Sequence, residues 1–343
     1  MSRRRRFARP ADEGAPYDPY FRQLNQELRA HGPMHPCLLI DLDRLDHNID
    51  VALRAIRPPK QLRVVAKSLP SVPLLDYVCR RAGSRRLMAF HRPFLNAEVE
   101  AFPDADVLLG KPMPVRAAAD FYRDLKGSFD PARQLQWLLD TPERLDQYLE
   151  LARGQNLKLR INVEIDVGLH RGGIADQGSL RRLLGTIAAA PQHLEFAGFM
   201  GYDPHVVKLP RALGTRDDHF RKVVRTYREF VDGARGAFPQ LWRDDLTLNG
   251  AGSPTYRLYE NETLLNDISV GSALVKPTDF DLDLLNEHVP AAFIATPVLK
   301  RNRGTLLPGM ERFADIFGRW DPNRQQTFFL YGGHWMARYV APA

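Results

Sequence analysis

Eight short, β-rich apolar runs follow one another along this chain, most of them separated by a stretch whose apolar residues recur with helical spacing. The runs are Leu62–Ala66, Arg86–Phe90, Asp106–Leu109, Leu135–Asp140, Lys158–Ile165, Leu194–Met200, Leu246–Asn249 and Asp267–Val270; a ninth, Cys37–Asp41, precedes them. Runs that are nearly continuous in apolar residues mark strands covered on both faces, and helical crossovers between them argue for parallel pairing. Eight strand–helix units in 343 residues predict an α/β fold, a (β/α)8 barrel of the TIM type, which takes roughly 250 residues. A doubly wound open sheet is the alternative.

Local signals agree with that order. A short helix is expected over Phe21–Ala30 and another near Asp43–Ala55. Thr141 reads as an N-cap with Pro142 at the first helical position, and Leu145, Tyr148, Leu149 and Ala152 then form a core-facing stripe. Phe220, Val223, Val224, Tyr227 and Val231 repeat the stripe in a longer helix. After Pro277 the pattern changes. Phe293–Leu299 and Thr327–Gly332 read as strands with no helix between them. The expected domains are a basic tail with a short helix (1–35), a barrel (36–281) and a short C-terminal β segment (282–343).

Composition narrows the class. With 44% hydrophobic and 26% charged residues the chain is ordinary for a soluble globular protein, which excludes wholesale disorder, collagen and coiled coil. The longest apolar runs, such as Cys37–Ile40 and Phe328–Tyr331, are far too short to span a bilayer. No apolar segment follows the opening Met-Ser-Arg-Arg-Arg-Arg, so it does not read as a secretory signal. Cys37 and Cys79 have no metal spacing and build no disulfide framework, which fits a cytoplasmic protein. The net charge is +7, but four of those charges sit in Arg3–Arg6, within a stretch (1–20) read as a disordered, solvated tail. Neither a nucleic-acid groove nor a membrane surface is needed to explain them. Only nine of the 48 basic residues are lysines, so each lysine is an informative position.

In a (β/α)8 barrel the chemistry sits at the carboxyl ends of the strands. Lys67, His91, Gly110-Lys111, Asp140, Asp166 with Arg171, Tyr202 with His205, Asn249-Gly-Ala-Gly-Ser253 and Gly271-Ser272 lie there in chain order. The last two strands carry Gly- and Ser-rich turns whose N–H groups suit a phosphate. Lys67, after Val64, Val65 and Ala66, is a partly desolvated amine and hence a nucleophile. A phosphate cradle facing such a lysine is the layout that pyridoxal 5′-phosphate requires. Each element alone has a plainer reading: a surface lysine, a tight corner, an Arg171–Asp166 pair, ordinary loop histidines. The combination carries the argument.

Three segments, Pro36-Cys-Leu-Leu-Ile-Asp-Leu-Asp-Arg-Leu-Asp-His-Asn-Ile49, Val65-Ala-Lys67 and Glu164-Ile-Asp-Val-Gly-Leu-His-Arg171-Gly-Gly-Ile, resemble the fold-type III enzymes of pyridoxal phosphate, the alanine racemase-like barrel superfamily. The D-threonine aldolase and D-serine dehydratase branch is the nearer likeness, and Asn249-Gly-Ala-Gly-Ser-Pro-Thr255 and Ile268-Ser-Val-Gly-Ser-Ala-Leu274 share it. It runs from about Pro36 to about Asp281. It implies that Lys67 is the Schiff-base lysine, that Arg171 lies near the cofactor's phenolic oxygen, and that Tyr202 faces the ring. It also implies that Asn249, Gly252, Ser253, Gly271 and Ser272 belong to the cofactor-binding turns, and that the protein is a homodimer.

Three departures stand out. Ser269 occupies the place of the arginine that faces the pyridine nitrogen in alanine racemases. The His-x-Cys or His-x-Asp metal pair of the aldolase and dehydratase branch is missing. His334-Trp-Met336 is its nearest counterpart, and a thioether is a poor ligand for a hard or borderline ion, so no metal site is expected. The segment after Pro277 is also shorter than the family's C-terminal β domain, as in a truncated product or a reduced domain. The resulting expectation is a lyase, aldolase or dehydratase, acting on a D-configured β-hydroxy amino acid. Lys67 would move the Cα proton, and His91, Tyr202 or His205 would act at the β-oxygen. The alternatives are an amino-acid racemase, with Tyr331 as a second base by residue type, and a non-catalytic carrier of the cofactor.

Overall fold

The computed structural model describes residues 9–12, 14 and 18–332. It divides into two units, one of residues 41–291 and one of the described residues up to 40 together with those from 292 onward.

The first strand, β1 (Cys37–Ile40), belongs to the smaller unit. The next eight are β2 (Gln61–Val65), β3 (Arg86–Ala89), β4 (Asp106–Leu109), β5 (Leu135–Leu139), β6 (Leu159–Ile165), β7 (Leu194–Gly201), β8 (Thr247–Gly250) and β9 (Asp267–Val270). Each pairs in parallel with its neighbours, and β9 pairs back onto β2, so the sheet closes into a barrel. Closure excludes the open sheet and bears out the (β/α)8 expectation. Continuous burial is its cause: every residue of β5 and β6 is buried, as a strand between a core and a helix layer must be.

The helix layer follows from caps and stripes. Thr141 accepts from the Arg144 N–H, Pro142 opens the helix Pro142–Gln155, and Leu145, Tyr148, Leu149 and Ala152 are its buried face. Asn156 ends it in the left-handed conformation (φ 52°). Thr215 and Asp218 form a capping box on the 22-residue helix Arg216–Ala237. Its buried face is Val223, Tyr227, Phe230, Val231 and Ala234; Phe220 and Val224 of the expected stripe are half-buried, and Phe220 packs edge-on against Tyr259 (4.9 Å).

Inside the barrel, the layers opposite the mouth are polar. Arg63 on β2 is fully buried, and all five of its N–H bonds are used. They go to both oxygens of Asp267 (2.8 and 2.9 Å), to the Asp106 carboxylate (2.7 Å) and to the carbonyls of Leu87 and Asp106 (3.0 and 2.9 Å). Arg86 adds a second cation to Asp267 (2.9 Å). Asn249 donates to Asp267 (2.5 Å) and to Ser269 Oγ (2.9 Å), which links this column to the floor of the mouth.

One buried acid has no such company. Glu98, on the helix Arg92–Ala101, is 4% exposed; its Oε2 lacks a hydrogen-bond partner among the described residues, and burial pushes the carboxyl up to about 8. The folded protein therefore holds a proton there that the unfolded chain releases, so stability falls as pH rises from the ordinary 4.5 through about 8. Unfolding free energies from urea melts at about pH 5 and about pH 9 are expected to differ by several kcal/mol more in the parent than in Glu98→Gln. Equal differences would show that Glu98 does not titrate in this way.

The helix Pro19–His31 starts on Asp18, whose side chain accepts from the Tyr20 N–H. Tyr20 and Phe21 stack on Phe293 (5.7 Å each). β1 pairs antiparallel with β10 (Ala292–Ala295), and β11 (Val298–Arg303) pairs with β12 (Gln326–Leu330). Two expectations are corrected here. Phe293–Leu299 is not one strand, because Pro297 has no N–H to give to a ladder, and the pairing stops at Ala295 and restarts at Val298. A short helix, Ala314–Trp320, also intervenes before β12. The expectation of a disordered stretch through residue 20 does not hold for its described residues. Pro19 and Tyr20 are helical, Arg9 donates to the Trp320 carbonyl (3.2 Å), and Asn323 donates to that of Ala11 (2.8 Å). Arg3–Arg6 lie outside the described residues. Among the described residues no helix is long and apolar enough to cross a membrane.

Candidate active site

The carboxyl ends of the barrel strands surround a pocket of about 520 Å³, measured with its open mouth. Lys67 enters it from the 3-10 turn Ala66–Ser68 that directly follows β2. Its ammonium lies 4.0 Å from the centre of the Phe90 ring. Partial burial, reinforced by the positive charges of Arg171 and Lys111, holds this amine below the ordinary lysine range. The neutral, nucleophilic form is correspondingly easier to reach.

The turns after β8 and β9 meet beside Lys67 and not opposite it, because β9 pairs with β2. Ser253 Oγ accepts from the N–H groups of Gly271 (3.1 Å) and Ala273 (2.9 Å), which ties one turn to the other. Ser68 and Ser272 share a hydrogen bond (3.0 Å), so a third hydroxyl faces the same side. Gly271 is required there: a Cβ would lie 2.7 Å from Val65 Cβ and 2.9 Å from Ser68 Oγ. At Gly252 a Cβ would lie 2.6 Å from the Tyr202 ring, so that glycine lets the ring lie flat along the turn. Serine hydroxyls gathered beside backbone N–H groups, with a nucleophilic amine and an aromatic ring on the same pocket, form a donor set that fits a phosphorylated carbonyl compound.

Tyr202, just after β7, lines the same pocket, with the Arg171 guanidinium 4.8 Å from its ring centre. Burial, opposed by Arg171, keeps the phenol above its ordinary range and therefore protonated. Arg171 pairs with Glu164 (3.2 Å), not with Asp166. Glu164 is 4% exposed, and burial outweighs the pull of Arg171, so its carboxyl rests above the usual range. Asp166 instead closes its own loop. Its Oδ1 accepts from the N–H groups of Gly168 and His170 (3.0 Å each), and its Oδ2 meets the His170 ring nitrogen (2.7 Å). Against the cost of burial, these bonds hold Asp166 below the usual range.

The pocket thus brings together Lys67, Arg171, Tyr202, Asn249, Gly252, Ser253, Gly271 and Ser272. His91 and His205 do not line it. His91 is exposed, stands at the start of the helix Arg92–Ala101, and has its ring against Phe94 (5.0 Å). His205 is half-buried in a 3-10 turn, with Nε2 3.2 Å from where a Gly168 Cβ would lie; burial draws its pKa down, and its Nδ1 has no partner among the described residues. Tyr331 follows β12 in the smaller unit, and His334-Trp-Met336 lies outside the described residues. Sequence reasoning missed Ser68, Phe90 and Glu164. Ser68 was legible as the hydroxyl beside Lys67. Phe90 and Glu164 sit within the runs already identified as strands, and only closure of the barrel shows that they face inward.

The family model described as the alanine racemase N-terminal domain matches residues 40–279. No curated protein sequence matches the chain. Among solved structures, alanine racemase from Bacillus anthracis with bound L-Ala-P is 18% identical with a TM-score of 0.62, over 80% of this chain and 68% of that one. D-threonine aldolase from Filomicrobium marinum is 18% identical with a TM-score of 0.60, over 79% and 73%. D-threo-3-hydroxyaspartate dehydratase in a metal-free form is 17% identical with a TM-score of 0.62, over 78% and 68%. Likeness at these identities shows the shared barrel.

Proposed function

The chain belongs to the alanine racemase N-terminal domain family, and on that premise we propose that it is a pyridoxal 5′-phosphate enzyme, a lyase that removes water from a D-configured β-hydroxy amino acid. The observation that carries the reading is one pocket lined by Lys67, by the Ser253, Ser272 and Ser68 hydroxyls and by Tyr202. When bound, the cofactor supplies an aldehyde that condenses with amines and a ring that takes up electrons released at Cα.

The chain's residues do the rest. Ser68, Ser253 and Ser272 would hold the phosphate. Lys67 would hold the aldehyde carbon and, once a substrate amine has displaced it, take the Cα proton. Tyr202 is protonated and lines the pocket, so it suits the acid that a departing β-hydroxyl needs. Retro-aldol cleavage needs a base at that oxygen, which a phenol held above its ordinary range serves poorly; this favours dehydration over the aldolase reading. The product enamine then hydrolyses to a 2-oxo acid and ammonia. Racemisation is the second reading, because Lys67 and Tyr202 are two proton-carrying groups on the same pocket. Exposed Phe328, Phe329 and Leu330 on β12 suit a homodimer, the assembly expected by family resemblance. A cytoplasmic location belongs to the same proposal.

The test uses purified protein loaded with pyridoxal 5′-phosphate and a panel of D- and L-amino acids. We expect ammonia and a 2-oxo acid from D-serine-type substrates, and borohydride reduction that fixes the cofactor on the Lys67 peptide. Loss of optical activity without a carbonyl product would instead establish a racemase. Glycine with an aldehyde would establish an aldolase, and a bound cofactor with no amino acid consumed would establish a carrier.

A further inference from the structure

An amino-acid substrate brings a carboxylate into the pocket, and a buried or half-buried carboxylate has to meet a cation or several N–H donors. If an anionic group is held by the turns after β8 and β9, the substrate is left the opposite half of the mouth, over the ends of β3 to β6. Arg171 is already matched by the buried Glu164 (3.2 Å) and lies against the Tyr202 ring. Asp140 and Asp166 are acids. His91 is exposed and turned onto Phe94. Lys67 is the bond-forming amine.

One cation is left over. Lys111 is exposed and directly follows Gly110, a pocket-lining residue whose N–H is fixed to the Ala89 carbonyl (2.8 Å) at the end of β4. Among the described residues, Lys111 makes no ion pair and no side-chain hydrogen bond. Lys67, Phe90 and Gly110 form a contiguous row toward it across β2, β3 and β4: the Lys67 ammonium lies over the Phe90 ring, and that ring packs on Gly110. The row also explains why Lys111 is felt at Lys67, whose proton affinity it lowers.

We propose that Lys111 receives the carboxylate of the amino-acid substrate, an assignment that rests on the cofactor reading above. A lysine on an open rim, with no partner of its own, is free to close on an incoming anion. Its charge lowers the proton affinity of the neighbouring amine. Carboxylate binding then neutralises Lys111 and lets Lys67 hold a proton more readily, at the stage where it has to carry one from Cα. Substrate recognition and the proton affinity of the base are thereby coupled through one side chain.

The experiment compares the holoenzyme with Lys111→Ala and Lys111→Arg, with binding read from the change in the visible band of the bound cofactor. The probes are D-serine against ethanolamine and D-alanine against ethylamine, pairs that differ in the carboxylate. The parent is expected to prefer the amino acid of each pair. Lys111→Ala is expected to lose at least about tenfold in affinity for the amino acids, the scale of a charge-assisted hydrogen bond, with the amines bound as before. Lys111→Arg restores part of the preference. Titration of Lys67 in the protein without cofactor supplies a readout independent of turnover, and its proton affinity is expected to rise in Lys111→Ala. A preference that survives in Lys111→Ala, or that is missing from the parent, overturns the assignment while leaving the cofactor reading intact. A protein that takes up no pyridoxal phosphate overturns both.

Discussion

Lys67→Ala is expected to abolish covalent capture of the cofactor and to lower turnover by about three orders of magnitude or more, as removal of a bond-forming residue does. The fold should be indifferent to the change. Lys67 is only partly buried, and among the described residues it makes no ion pair or side-chain hydrogen bond; its contact is with the face of Phe90. A thermal midpoint close to the parent's would therefore separate lost chemistry from lost structure. Lys67→Arg should fail as fully, because a guanidinium keeps its proton at any workable pH and offers no lone pair to a carbonyl. Full turnover by Lys67→Ala, measured together with retention of the visible band, would remove the basis of the functional reading.

Asp267→Ala is expected to cost about 3–5 kcal/mol of stability, the range seen when one partner of a buried pair is deleted. That is a large part of the roughly 5–15 kcal/mol that holds a domain together. Asp267 is fully buried and receives Arg63, Arg86 and Asn249. Its removal leaves two N–H bonds of the fully buried Arg63 guanidinium without an acceptor, although those to Asp106 and to the two carbonyls remain. Asp267→Asn should lie between the two, since one carbonyl oxygen still accepts. A second effect should accompany the first. Asn249 loses the carboxylate that orients its amide, and with it the alignment of Ser269 at the pocket floor. Urea melts with and without cofactor would show both effects, and an unchanged midpoint for Asp267→Ala would refute the first.

The barrel was legible because its signal is coarse and repeated. Strands such as Leu135–Leu139 and Leu159–Ile165 are apolar enough to be recognised wherever their ends fall. The small unit was less so, because a single residue decides it: Pro297 splits one apolar run into two strands. At the site, the rule that chemistry lies at strand ends found Lys67, Arg171, Tyr202 and the two serine turns, whose backbone carries them into the mouth. The same rule also nominated His91 and His205, since sequence position fixes where a strand stops but not which way the next residue turns. One begins a helix and the other sits in a 3-10 turn beside Gly168. The partner of Arg171 was equally hidden. Asp166 is nearer in sequence, but its loop consumes it, and Glu164 inside the strand remains for the arginine.

The contact between Phe90 and Gly110 limits how such a pocket can change over generations. The Phe90 ring occupies the space a side chain at Gly110 would fill, with Met88 Sδ only 2.9 Å from that point. Any lineage that enlarges position 110 first passes through a clash beside the reactive amine, whereas one that trims Phe90 first opens room at both positions. The order of substitutions is therefore constrained to one direction, and descendants with bulkier residues after β4 should carry a smaller residue after β3.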